Sequence, residues 1–386
     1  MRNKSWLLIA LVIALLGLGA YYNFDMQWGD YGTGDWLAYW SIPRGVLFGQ
    51  GYFNSDWLER TQTAVGYFRQ VSEHHPLHFW PLWNPPPIVL LLMPMGAFPF
   101  TASTLVWIGL CAILFGHAAL LVNRRLPHPL PDEVALGFPF LYLPFLAGMF
   151  WGQVTPLLGA FMVYAWLAQR KNHQVAAGVL LVPILLKPHL LFIAIGLLLL
   201  VALRRGQWAM ILSFTGFTSL LVIIAFVLDP TWVTGWITQG SPVHWQSVSL
   251  WDLIKSAREL PGWIQFTGIP IGILIGLVRY WNVREVSLRL LGEATLLSTL
   301  FNPYLWHHDI LVMLPAALWI GSVLWNREMR PLMVFLCVFS LWAMPWLVFS
   351  IAFLPYMAMF IALWWWSGRP HDKQPKQEEQ LTPQAS

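Results

Sequence analysis

Long apolar runs alternate along this chain with short basic clusters, and that alternation restricts the fold more than any other feature. The runs are Trp6–Tyr22, Thr101–Val122, Val134–Phe150, Val154–Ala168, Val175–Leu186, Leu190–Leu203, Trp208–Leu228, Trp263–Val278, Val286–Leu300 and Ile310–Trp325, followed by an apolar block from Leu332 to Trp366. A hydrocarbon core about 30 Å thick takes roughly 20 helical residues. The final block splits near Trp346–Ser350 into two short spans, bringing the expected total to about twelve. In lipid every backbone polar group must be satisfied internally, so runs of this length predict helices. The expected fold class is therefore an all-α integral membrane protein. Composition agrees: 10% of the residues are charged, against about 25% in a soluble domain.

The net charge of +4 does not call for nucleic acid. Arg124/Arg125, Arg170/Lys171, Arg204/Arg205, Arg279/Arg284, Arg327/Arg330 and the tail residues Arg369/Lys373/Lys376 lie between or after the runs. The positive-inside rule puts such clusters in the cytoplasm. Arg2 and Lys4 place the N-terminus of an uncleaved first helix on the same side. The parity holds if Ile88–Pro99, too short to span and closed by Pro, dips into the membrane without crossing it. A large first outer loop, 23–100, then follows the first span. Residues 1–368 form one membrane domain, and 369–386, rich in Pro, Gln, Glu and Lys, read as a disordered cytoplasmic tail. The expected location is the plasma membrane, multi-pass, with both termini cytoplasmic.

Within the first outer loop, Trp57, Leu58, Thr61, Val65, Phe68 and Val71 recur at helical spacing, and Asn54-Ser55-Asp56 supplies a helix start. This predicts an interfacial helix with Arg60, Gln62 and Arg69 toward solvent. A second outer loop spans Asp229 to Pro261, and an outer turn runs from Asn302 to Asp309. Most of the 25 Trp are expected at the membrane–water boundary, where the ring is apolar and the N–H finds a partner. Cys111 and Cys337 lie inside apolar runs and read as packing residues.

The polar residues that interrupt this pattern are the candidates for chemistry. Asp35, just before Trp-Leu-Ala-Tyr-Trp, has two compatible readings: a helix N-cap, or a general base at the outer surface beside Trp36 and Tyr39. Asp30 is the runner-up, with a solvated loop as its plainer reading. Lys187 sits between two short apolar runs, and a charge at mid-membrane costs about 3 kcal/mol even on the mild insertion scale. It therefore either snorkels to the interface or meets an anion such as a lipid-linked phosphate. His189 either joins it or packs. Gly152-Gln153 is a helix turn or a polar contact to a bound head group. His307, His308 and Asp309 have the look of a metal cluster, but neighbouring His side chains diverge on a helix, and no metal is expected. Arg289 and Glu293 are spaced i, i+4 and read as a structural pair. His74 and His75 read as solvated. By topology Asp35, Gln153 with Lys187, and His307/His308 all reach the outer face.

Four segments in order carry a resemblance. GTGDWLAYW resembles a G-G-D-x-x-x-Y start to a first outer loop. NPPPIVLLLMPMGAFP resembles a Y-P-P helix ending in a second Pro. GQVTPLLGAFMVYAW with AAGVLLVPILLKPHLL resembles a G-Q-[VN] helix followed by an A-G…K-P helix. NPYLWHHDILVMLP resembles an S-P-x-S-W-x-H segment. Together they are similar to the GT-C class membrane glycosyltransferases of family 87, related to polyprenyl-phosphate-mannose-dependent α-1,2-mannosyltransferases. Thr33 stands where a Gly is usual, and Asn302 replaces the Ser. The resemblance implies a GT-C-type bundle that moves a hexose, mannose favoured, from a polyprenyl-phosphate sugar to a hydroxyl of a glycan or glycolipid in cell-envelope biosynthesis. It puts Asp35 in the role of base, with inversion at the anomeric carbon. It sets Lys187 with His308, and less directly His307, at the leaving phosphate; Gln153, Tyr39, Asp30 and His189 are further substrate contacts. A phosphate leaves readily, so neither cofactor nor divalent metal is implied. The rival readings are a lipid-sugar flippase or transporter, and an assembly protein in which Asp35 only caps a helix.

Overall fold

The computed structural model describes residues 34–65, 79, 84–140, 145, 148, 149, 152–238, 249–332 and 353–368. The first apolar run, Asp30, Phe68, Arg69, Val71, His74, His75, Cys337 and the tail lie outside them. Among the described residues all regular structure is helical. In chain order the elements are α1 (Gly34–Leu47), α2 (Ser55–Ala64), α3 (Pro86–Gly96), α4 (Phe100–Asn123), α5 (Asp132–Phe140), α6 (Thr155–Arg170), α7 (Gln174–Leu186) and α8 (Phe192–Arg204). They continue as α9 (Trp208–Leu228), α10 (Trp232–Thr238), α11 (Leu250–Ala257), α12 (Gly262–Tyr280), α13 (Leu288–Leu300), α14 (His308–Asn326) and α15 (Phe353–Ser367).

Four of these, α4, α9, α12 and α14, are long and apolar enough to cross a membrane. They differ in what surrounds them. Over its most apolar window α9 is 11% buried and α14 is 78% buried, so α14 lies at the centre of the bundle and α9 turns its side chains outward. Lipid tails supply no hydrophobic drive between helices, so close packing over small residues takes its place. Gly178 of α7 shows this: a Cβ there would come within 2.1 Å of Ser213 Oγ and 2.3 Å of the Met210 carbonyl on α9. Gly292 brings α13 close to Ala316 of α14, where a Cβ would lie 3.2 Å from the backbone.

The bundle has two chemically distinct ends. Helices α4, α6, α8, α12 and α14 each finish at or next to a basic residue: Arg124, Arg170, Arg204, Arg279 and Arg327. Arg170 pairs with Glu285 at 3.1 Å, and the Arg204 guanidinium lies 5.5 Å from the centre of the Trp281 ring. At the opposite end, α6 and α8 begin, α7 and α13 finish, and α1 enters.

α3 is an apolar helix of Pro86–Gly96, about 16 Å long at the usual rise, too short to cross. It lies against α1: a Cβ on Gly96 would come 2.6 Å from the Arg44 backbone nitrogen, and Arg44 Nη1 donates to the Gly96 carbonyl at 2.9 Å. α2 begins where the sequence predicts, with Asn54 Oδ1 accepting from Trp57 N at 3.1 Å. The segment from Asp229 to Pro261 contains the short helices α10 and α11.

Two expectations are corrected. Gln62 does not face solvent: it is fully buried and donates to Ser41 Oγ at 3.0 Å, because α2 packs on α1 instead of lying alone on the membrane. Glu293 does not pair with Arg289. It accepts from Arg279 Nε at 2.7 Å and Nη2 at 3.2 Å, because α12 and α13 are neighbours joined by a short link. Among the described residues Trp36, Trp107 and Trp166 are fully buried, and their N–H groups reach Thr104 Oγ1 (2.9 Å), the Gly152 carbonyl (3.2 Å) and the Val286 carbonyl (2.7 Å). A buried indole needs such a partner, and irregular breaks between helices offer free carbonyls.

Candidate active site

The end of the bundle opposite the basic clusters gathers four breaks in apolar sequence, and each break delivers one polar side chain. Asp35 stands in the first turn of α1 and is partly exposed. Trp36 beside it stacks on Trp107 of α4 with ring centres 4.6 Å apart, which anchors that turn.

Gln153 is delivered by a Schellman closure. Gln153 N donates to the Gly148 carbonyl at 2.8 Å and Gly152 N to the Met149 carbonyl at 3.1 Å, with Gly152 at φ +63°. The αL residue of this motif is usually Gly because a side chain is strained there. Here a second constraint coincides: a Cβ on Gly152 would lie 2.2 Å from Trp36 Cβ. The same glycine thus lets the chain turn and lets it touch α1.

Lys187 is delivered by proline. Pro188 disfavours helical backbone in the residue before it, and Lys187 adopts φ −134°, ψ 73° between two 3₁₀ turns. Asp309 is delivered by the turn that starts α14. Its backbone N–H donates to the Trp306 carbonyl at 2.9 Å, and its Oδ2 accepts from Trp306 N at 3.0 Å.

The four side chains join. Lys187 Nζ donates to Gln153 Oε1 at 2.7 Å, and Gln153 Nε2 donates in a short hydrogen bond to Asp35 Oδ2. An ammonium can only donate and a carboxylate only accepts, so the chemistry of its two neighbours fixes which way the Gln153 amide points. Lys187 Nζ also lies 3.3 Å from Asp309 Oδ1, which accepts from Thr155 Oγ1 at 2.8 Å. His308 Nε2 lies 3.6 Å from the same oxygen. Lys187 is therefore not lone and does not snorkel. It is buried, and its anion is a carboxylate 122 residues away in sequence. Burying two charges is tolerable only when both are paired and their remaining hydrogen bonds are met.

Around this core, Tyr39 Oη donates to Asn84 Oδ1 at 3.1 Å, and Asn84 Nδ2 donates to the Leu186 carbonyl at 2.5 Å. Asn84 so ties α1 to the residue before Lys187. Burial first, and the Asp35 charge next, push the Tyr39 phenol well above its ordinary range, so it stays neutral. His189 packs edge-on to Tyr304 with ring centres 6.3 Å apart. Burial holds its imidazole down at about 4, neutral at physiological pH. Among the expected residues, Asp35, Gln153, Lys187 and His308 come together, Tyr39 and His189 line their surroundings, the His307 side chain is outside the described set, and so is Asp30. Among the described residues no three His, Cys, Asp or Glu side chains group as metal ligands.

Sequence reasoning missed Thr155 and Asn84, and it named Asp309 without its pairing to Lys187. Thr155 is the second residue of the run Val154–Ala168 and Asn84 lies just before Pro85, so neither carried the signal that found Gln153 and Lys187. The role of Asp309 was hidden by the pair of histidines before it.

Chemically, the cluster offers a partly exposed carboxylate linked through one neutral amide to a buried ammonium. Such a set can take a proton at one end and hold an anion at the other. Residues 82–350 match the model of glycosyltransferase family 87, a stretch that includes Gln153, Lys187, His308 and Asp309 and begins after Asp35. No curated protein and no solved structure matches the chain.

Proposed function

As the chain belongs to glycosyltransferase family 87 and is thereby a sugar-transferring enzyme, we propose that it moves a hexose, mannose favoured, from a polyprenyl-phosphate sugar to a glycan or glycolipid hydroxyl at the outer face of the plasma membrane. The observation that carries this reading is the Asp35–Gln153–Lys187 chain. Asp35 takes the proton of the acceptor hydroxyl. The acceptor oxygen attacks the anomeric carbon from the face opposite the phosphate, the bond from that carbon to the phosphate oxygen breaks, and configuration inverts. The electron pair leaves on polyprenyl phosphate, whose growing charge Lys187 and His308 stabilise. Asp309 holds Lys187 in place, Gln153 sets its distance from Asp35, and Tyr39 shapes the wall beside the base.

The remaining parts of the reading concern the membrane. About twelve spans, cytoplasmic termini and a disordered tail at 369–386 follow from apolar run lengths and basic clusters. No cofactor or divalent metal is required, because a lipid phosphate departs without one.

The test is transfer itself. Purified protein in nanodiscs is incubated with labelled polyprenyl-phosphate mannose, glucose or galactose and a cell-envelope glycolipid fraction. Release of polyprenyl phosphate together with labelled glycolipid supports the proposal. Passage of the intact donor across a bilayer without bond cleavage would replace it with a flippase.

A further inference from the structure

Beside the Asp35–Lys187 chain, two buried polar atoms have no hydrogen-bond partner: Nε2 of His189 and Nδ2 of Asn302. Buried polar atoms left unmet are costly, and native proteins keep few of them. Both are neutral, and both border one aromatic row. His189 meets Tyr304 edge-on; Tyr304 meets Trp306 at 6.2 Å and 74°; Trp306 lies parallel to His308 at 6.5 Å and 1°. Trp306 Nε1 donates to Tyr304 Oη in a short bond. Asn302 Oδ1 accepts from Tyr304 N at 3.0 Å, so its amide nitrogen is turned away from that bond. The row starts two residues from Lys187 and ends at the neighbour of Asp309.

We propose that His189, Asn302 and the face of Tyr304 form the subsite for the sugar ring of the donor. The chemistry selects a neutral polyol. A second phosphate would need another cation, whereas unmet neutral donors and acceptors beside an aromatic face suit hydroxyls and the C–H face of a pyranose. Position selects the donor over the acceptor. The donor sugar hangs from its phosphate by one oxygen, so it must lie next to whatever holds the phosphate, and His189 follows Lys187 by two residues. The Tyr304 phenol, raised by burial and further by the Asp35 and Asp309 charges, stays protonated near both carboxylates. This inference rests on the proposed donor class.

The experiment measures affinity in nanodiscs for farnesyl phosphate and for farnesyl-phosphate mannose, glucose and galactose. Wild type should bind at least one sugar-bearing lipid more tightly than the sugar-free one. His189→Phe keeps the ring against Tyr304 and removes the nitrogens; Asn302→Ser keeps an acceptor for Tyr304 N and removes the amide nitrogen. Each should weaken the sugar-bearing lipid about five- to tenfold, the worth of one hydrogen bond, and leave the sugar-free lipid unchanged. That unchanged affinity also reports an intact fold. Lys187→Met should weaken both lipids. Equal weakening of both lipids by His189→Phe and Asn302→Ser, or no change in either, overturns the subsite while leaving the donor class standing. Wild type that binds none of the four lipids removes the donor class, and the subsite with it.

Discussion

At the scale of single residues, the two carboxylates at the site differ in burial and in partners, and substitutions separate them. Asp35 is partly exposed and accepts from a neutral amide. Asp35→Asn keeps the size and an acceptor oxygen but cannot take a proton. Transfer should fall by about 10²–10⁴-fold, the usual worth of a general base, with the melting temperature unchanged; full activity would remove Asp35 from that role. Asp309 is fully buried and bears on Lys187. Breaking a buried pair from one side leaves an uncompensated charge, at a cost of about 3–5 kcal/mol. Lys187→Met and Asp309→Asn should therefore each lower thermal stability strongly. Lys187→Met/Asp309→Asn should be less unstable than the sum of the two losses by more than about 1 kcal/mol. Additive losses in that cycle would mean that the pair contributes no mutual stabilisation. The sequence made Gln153 and Lys187 visible because each breaks an apolar stretch, and Asp35 because it directly precedes Trp-Leu-Ala-Tyr-Trp. It did not make Asp309 visible as the anion for Lys187. Nothing local to either residue encodes a contact over 122 positions, and an isolated charge in a span looks the same whether its partner is a ligand or the protein.

At the scale of elements, the site is positioned by places where helices stop. Gly152 is the strictest of these, since it answers to a positive φ and to the near approach of Trp36 at once. Gly152→Ala adds about 1–2 kcal/mol of backbone strain and about 1–3 kcal/mol of overpacking. The clash is relieved only by moving α1 away from Gln153. Activity should thus fall more steeply than stability, with the loss in kcat/KM and not in expression. An active Gly152→Ala enzyme with wild-type stability would show that the turn tolerates a side chain and that the Asp35–Gln153 contact does not depend on it. Helix starts were legible at this scale: Asn54 caps α2 and Pro188 releases Lys187 from the helix, both local effects. Which faces of those helices would be covered was not. Gln62 reads as a surface residue until α1 is known to lie over it, and Glu293 has a plausible partner on its own helix until α12 supplies a better one. Spacing along one helix ranks contacts within that helix only.

At the scale of the whole molecule, helix lengths give the site a depth. α4 has 24 residues and α9 has 21, lengths of about 36 and 31 Å at 1.5 Å per residue. α6 has 16 residues, and α8 and α13 have 13 each, lengths of about 24 and 20 Å. The short helices share their basic ends with the long ones, so their other ends, where the site is built, lie roughly 10 Å short of the far surface. A donor whose phosphate is carried on a lipid chain reaches that depth from the side, whereas a water-soluble nucleotide sugar has to descend to it. The positive-inside rule predicts that the basic ends face the cytoplasm, and labelling can check it. In a Cys111→Ala/Cys337→Ala background, Glu59→Cys on α2 and Pro127→Cys after α4 are both exposed positions. An impermeant maleimide added to intact cells should label Glu59→Cys at once, and Pro127→Cys only after the membrane is opened. The reverse pattern would put the carboxylate of Asp35 on the cytoplasmic side, where nucleotide sugars are made. The case for a lipid-borne donor would then rest on depth alone. Labelling of both positions from outside would mean that α4 does not cross, and the long-helix frame from which that depth is measured would no longer apply.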